Sequence, residues 1–339
     1  MKGKVLSFGE LLLRICPDTE GQWTKENTLP VYIGGAECNV ATALALWKVP
    51  SSYFTALPKN YFSEQIVQSL RKRDIQTDKI RYEGDRVGLY YLPKGKDLKN
   101  AGVIYDRAGS SFTGLKPGVI NWDDVFEGVY WFHFSAICPA ISQQVADVCE
   151  EALKAASARE VKISLDLNYR AKLWKYGKTP VEVMPVLAKH CNLIMGNIWA
   201  ANTMLGIPII KDLVEGEERS KLEAHAKITS EAILKQFPVC TAVANTFRFE
   251  NKGSIKYFTT LYTDGDLHVS KQYNSEKIKD IVGSGDCYMA GLIYGYYHEH
   301  AVSEIVEFAT AAAFDKLFIE NDATSSTVEE ISIRKTYGF

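Results

Sequence analysis

Neither sign of charge predominates: Lys and Arg number 39, Asp and Glu 41, and the formal net charge is -2. Without a basic excess there is no source for sequence-independent attraction to a phosphate backbone, so nucleic acid is not an expected partner. Long apolar runs are missing too, and no stretch reaches the roughly 18 residues a membrane helix needs. The start, MKGKVLSFGELLLRICPD, mixes basic and apolar residues, but Glu10 and Arg14 interrupt it before it gains signal-peptide character. The expectation is a soluble, cytoplasmic protein with no membrane partner. Cysteine is sparse and unpatterned: Cys16, Cys38, Cys138, Cys149, Cys191, Cys240 and Cys287 include no C-x-x-C pair, which speaks against zinc and disulfide scaffolds. Most sit among apolar residues, as Cys138 does after Phe134-Ser135-Ala136-Ile137, and read as buried, reduced thiols. The six histidines show no triad or metal spacing. The lysine-bearing phosphate loop G-x-x-x-x-G-K-[ST] is also absent. No repeat, low-complexity tract or flexible linker is visible.

What is present is enough for a large core: 339 residues, 46% of them hydrophobic, allow one large α/β unit or two domains. Lys4-Val5-Leu6-Ser7-Phe8-Gly9 reads as a buried strand delivering Glu10 to a surface. Gly34-Gly35-Ala36 reads as a turn feeding a helix over Asn39 to Trp47. Strand-like segments at Val129 to Ser135, Val161 to Leu167, Asn192 to Met195 and Val239 to Ala244 alternate with helical ones at Ser142 to Ser157, Val181 to Lys189 and Leu222 to Gln236. Helices follow at Asp286 to His298 and Ser303 to Ile319. That alternation predicts a mostly parallel sheet with helices on both faces and ligands at the carboxyl ends of its strands. Residues 11–33 and 83–110 break the rhythm with strands that no helix separates, Val87 to Leu92 and Gly102 to Tyr105 among them, joined by a turn at Pro93-Lys94-Gly95-Lys96. They predict a small antiparallel sheet acting as a lid, with residues 1–10, 34–82 and 111–339 as the core.

The most specific segment is Asp280-Ile281-Val282-Gly283-Ser284-Gly285-Asp286, which joins a small-residue turn to the start of a helix. Successive amide groups at such a start form an anion pocket, reinforced by the helix dipole. An acid there either caps the helix or faces the bound phosphate, in which case accepting a proton from an attacking hydroxyl is its natural task.

These residues resemble the D-T-x-G-A-G-D signature of the ribokinase-like (PfkB) carbohydrate kinases, and Gly34 to Ala41 resembles their amino-terminal G-G-x-x-x-N-x-A signature. The resemblance covers essentially the whole chain. It implies a three-layer α/β/α core with a β-sheet lid and ATP-dependent phosphoryl transfer to a sugar hydroxyl. It implies Asp286 as base, with Gly283, Ser284 and Gly285 as anion hole, and Gly34, Gly35 and Asn39 against the substrate. Val87 to Tyr90, Tyr105 to Ser110 and Asp166 to Arg170 look like the 2-keto-3-deoxygluconate kinase branch. A carboxylate-bearing substrate calls for guanidinium partners, for which Arg107 and Arg170 are the candidates. Tyr90 and Tyr105 would cover the carbon chain, and Asn168 would line the same site. Glu10 falls near the family's sugar-binding acid.

The pattern departs from the family in places. Asn197-Ile198-Trp199-Ala200 lacks the Glu of the family's N-x-x-E, leaving Asn197, Gly283 and Gly285 as cofactor-binding candidates and Mg²⁺ without an assigned ligand. Ile281-Val282 replaces a Thr-bearing pair, and Asn245-Thr246-Phe247-Arg248-Phe249 stands where the family has a Gly-rich nucleotide turn. The implied cofactors are ATP and Mg²⁺, with a monovalent cation possible; the implied partners are a small sugar acid and a second copy through the lid, or a higher oligomer. A kinase for a neutral sugar such as fructose or ribose, and a catalytically silent sugar- or nucleotide-binding protein, stay open as alternatives.

Overall fold

Val5 to Phe8 are buried without a break, which suits a strand covered on both faces, and Lys4–Phe8 forms β1. The computed structural model describes residues 2–17, 28–93, 102–215, 218–251 and 254–338. The chain divides into two units, Met1–Leu115 with Ser275–His300 and Phe308–Phe339, and Lys116–Asn274 with Ala301–Glu307.

In the first unit β2 (Leu12–Ile15) and β3 (Val31–Gly34) are followed by α1 (Ala36–Leu46), β4 (Ser51–Phe54), β5 (Ala56–Leu57), α2 (Tyr61–Arg71), β6 (Ile75–Gln76), β7 (Arg81–Tyr82), β8 (Gly88–Tyr91) and β9 (Ile104–Asp106). β1, β4 and β6 lie side by side and parallel as part of a large, mostly parallel sheet. α1 is Ala- and Leu-rich and buried from Glu37 through Ala45, as expected of a helix inside the core. The small sheet has the order β3-β2-β8-β9. It is mixed rather than antiparallel: β2 and β8 run parallel, placing Arg14 beside Tyr90, while the outer pairs are antiparallel. Two helices separate β2 from β8 in sequence, which gives the chain length a parallel return requires. Residues 18–27 and 94–101 of the expected lid, including Lys94-Gly95-Lys96, lie outside the described residues.

The second unit runs α3 (Trp122–Val125), β10 (Val129–Ser135), α4 (Gln143–Ser157), β11 (Lys162–Asp166), α5 (Pro180–Ala188), β12 (Leu193–Gly196), α6 (Ile198–Leu205), α7 (Lys211–Val214), α8 (Arg219–Gln236), β13 (Ala242–Asn251), β14 (Ser254–Thr263), β15 (Asp266–Val269) and β16 (Tyr273–Ser275), the last residue falling in the first unit. Boundaries follow local chemistry: Ser142 accepts from the Val145 amide to start α4, and Thr179 with Glu182 forms a capping box before Pro180. β10 to β13 are parallel; β13, β14 and β15 then turn back on one another. The Asn245–Phe249 stretch is therefore strand, not a nucleotide turn, because Phe247 stacks on Phe258 at 4.7 Å inside the hairpin.

The chain ends with α9 (Ser284–Tyr297), α10 (Val302–Asp315), a 3-10 turn at Lys316–Phe318 and α11 (Val328–Tyr337). Gly291 brings α9 against Ala309 of α10 so closely that any side chain would strike the Ala309 backbone. Among the described residues, no helix is long and apolar enough to cross a membrane.

Candidate active site

The signature turn is held in place by steric necessity. Gly283 has φ 80°, and a Cβ there would run into the Asp322 carbonyl oxygen. Ser284 opens α9 and donates its hydroxyl to the Ala313 carbonyl at 2.8 Å. A Cβ on Gly285 would meet nothing within 4 Å, so the first turn of α9 borders open space on that side. Helix starts leave amide groups unpaired, and these are what an incoming anion would use.

Asp286 does not cap this helix. Gly283 is the N-cap and no side chain caps it, while Asp286 Oδ2 accepts from Asn39 Nδ2 at 2.7 Å. Asn39 lies on α1, whose first residues follow the Gly34-Gly35 pair, so the two signatures meet at one buried hydrogen bond. Among the described residues, none donates a hydrogen bond to the buried Asn39 Oδ1. The glycine pair is explained by close packing: a side chain on Gly34 would strike the Asp322 carboxylate, and one on Gly35, at φ 118°, the Glu10 carbonyl.

Two buried charge clusters flank these elements. Glu10 accepts Arg107 through Nε at 2.6 Å and Nη2 at 2.5 Å, and its other oxygen accepts the Ser110 hydroxyl at 2.5 Å. The Arg107 guanidinium also lies 6.0 Å from the Tyr105 ring, which is half-buried on β9. In the second cluster Arg14 Nη2 meets Asp280 Oδ2 at 2.5 Å and Nε meets Asp322 Oδ1 at 2.9 Å. Tyr90 donates its hydroxyl to Asp322 Oδ2. Burial pushes the Asp322 carboxyl up in pKa, against the pull of Arg14, and pushes the Tyr90 phenol well up, helped by the Asp322 charge.

Tyr90 is thus engaged by the protein itself, and Arg107 is a paired cation. The sequence reading passed over Arg14, Asp322 and Lys316. A signal existed for one of them: Arg14 is the lone charge in the apolar run Leu11 to Ile15.

The second unit places the remaining candidates at the carboxyl ends of parallel strands, where α/β sheets bind ligands. After β11, the Asn168 amide donates to Asp166 Oδ1 at 3.0 Å, and Arg170 Nη1 donates to the Tyr169 carbonyl at 3.1 Å. After β12, Asn197 caps α6, its Oδ1 accepting from the Ala200 amide at 2.7 Å.

Among the described residues no three His, Cys, Asp or Glu side chains converge as metal ligands.

A parallel α/β sheet, a small separate sheet and an acid beside a glycine turn at a helix start define a phosphoryl-transfer class of protein. Residues 2–316 match the pfkB family carbohydrate kinases, and the chain belongs to that family. Its fold is ribokinase-like, and kinase membership implies ATP use. The crystal structure of 2-dehydro-3-deoxygluconokinase from Thermotoga maritima is similar at 31% identity and TM-score 0.88, over 98% of this chain and 99% of that one. The 2-dehydro-3-deoxygalactonokinase of Haloferax volcanii is 30% identical over 51% of this chain and 54% of its own length. The 5-dehydro-2-deoxygluconokinase of Clostridium beijerinckii is 22% identical over 92% of this chain and 86% of its own.

Proposed function

We propose that this kinase transfers the γ-phosphoryl group of ATP to the C6 hydroxyl of 2-keto-3-deoxygluconate, with Asp286 as general base. The observation that carries the reading is the Asp286–Asn39 hydrogen bond, which fixes an acid beside the Gly283–Gly285 turn. A fixed carboxylate next to an anion pocket accepts a proton as the hydroxyl attacks. The substrate oxygen bonds to the γ-phosphorus as the bond to the β–γ bridging oxygen breaks. The hydroxyl proton passes to Asp286, and ADP leaves with the bridging electron pair. Amide groups of Ser284 and Gly285 stabilise the charge on the moving group.

Gly34, Gly35, Asn39, Tyr105 and Arg107 of the first unit are proposed sugar-acid residues, with Tyr90 supporting them through Asp322; in the second unit Asn168 and Arg170 are proposed for the same role and Asn197 as a nucleotide contact. An ion brought with ATP would draw its ligands chiefly from phosphate oxygens and water. The names of the three kinases reported above, each for a dehydro-deoxy sugar acid, support an acidic substrate. One observation favours a neutral sugar instead: Glu10 already offsets the Arg107 charge.

ADP release with Mg-ATP and 2-keto-3-deoxygluconate, fructose, ribose or no sugar separates the readings. Selective turnover of the keto acid is expected; preference for fructose or ribose would reassign Arg107 to a structural pair with Glu10.

A further inference from the structure

Lys316 is fully buried and has no part in the step above. It sits in the 3-10 turn after α10, where its ammonium donates to the Ile319 carbonyl at 3.0 Å. The same turn holds the signature: the Leu317 carbonyl accepts the amides of Lys279 at 2.8 Å and Asp280 at 3.1 Å. A Cβ built on Gly283 would lie 3.5 Å from Lys316 Cε, so the lysine stem runs directly behind the first glycine of the anion turn.

Arg14 and Lys316 are buried bases beside the buried acids Asp280 and Asp322, while Asp315, the chain neighbour of Lys316, is buried too and pairs with Arg334. Removing the ammonium would leave two carboxylates facing one guanidinium behind a turn that must receive a polyanion, where low dielectric strengthens every repulsion. Burial lowers the pKa of this lysine, while Asp280 and Asp322 act in the opposite direction and favour its charged form.

We infer that Lys316 is a positioning residue for phosphoryl transfer: its ammonium, anchored on the Ile319 carbonyl behind Gly283, offsets Asp280 and Asp322 so that the Gly283–Asp286 turn accepts the phosphoryl group. The inference rests on the proposed phosphoryl site.

The test compares the parent with Lys316→Met and Lys316→Gln, each first shown to be folded by circular dichroism and Tm. If the methionine variant does not fold, the glutamine variant, which keeps a donor toward Ile319, carries the measurement. The kcat of the folded variant should fall by on the order of 10–100-fold, with a raised KM for ATP and little change in KM for the sugar. Ammonium chloride should restore part of the rate by filling the vacated space; tetramethylammonium chloride at equal ionic strength should not. The parent, which carries its own ammonium, should respond to neither. A folded variant with the parent's kcat and no ammonium response would overturn the inference. Asp286→Asn is the parallel control: if it keeps the parent's rate, the phosphoryl-site reading fails and the inference with it. If that variant is inactive while Lys316→Met is parent-like, only the role of Lys316 fails.

Discussion

Asp286 was legible in the sequence because a turn of small residues opening a helix has few readings, and Asn39 was legible from its place after Gly34-Gly35. What joins them is a hydrogen bond across 247 residues of chain, which no local pattern reports. The same holds for Arg14, paired 266 residues away with Asp280. Sequence gives charge and neighbourhood, while pairing is decided by the fold. Arg107 shows the consequence: its type suited a substrate carboxylate, but Glu10, itself a site candidate, is its observed partner.

His133 gives a residue-scale prediction independent of the site. It is buried on β10, its Nδ1 3.0 Å from Ser164 Oγ, and burial lowers its pKa from 6.5 to about 3. Because the folded value lies below the unfolded one, the unfolded chain gains a proton between those values that the folded chain does not. Stability is therefore lost as pH falls from about 6.5 toward 3. Tm measured across that range should drop less steeply for His133→Gln than for the parent; parallel curves would remove His133 as a source of acid sensitivity.

At the level of elements, the helices and parallel strands of the second unit were readable because apolar runs and caps coincide, as at Ser142 and Thr179. The β13–β15 hairpins were missed although Asp264-Gly265 carried the turn signal, with φ 53° and 88°. The parallel pairing of β2 with β8 was not readable, since it depends on how the intervening helices return the chain. The junction of Gly283 with α9 bears the tightest constraint. Gly283→Ala meets both a positive φ and the Asp322 carbonyl, so a loss of about 1–3 kcal/mol is expected, together with a lower kcat from a displaced turn. Denaturant unfolding checks the first effect, and an unchanged midpoint would show that the turn relaxes freely.

For the whole molecule, two short signatures in the right order sufficed to place the chain among the carbohydrate kinases, a placement that the match over residues 2–316 makes plain. The substrate is harder to read, because gluconate-type and galactonate-type keto acids differ in the orientation of one hydroxyl, below the resolution of any motif. Phosphoryl transfer through Asp286 is the central claim, and steady-state turnover of the folded Asp286→Asn protein with Mg-ATP and 2-keto-3-deoxygluconate tests it most directly. A kcat lower by about 10²–10⁴-fold with an unchanged Tm is the predicted result. A near-parental kcat in the folded variant would contradict it.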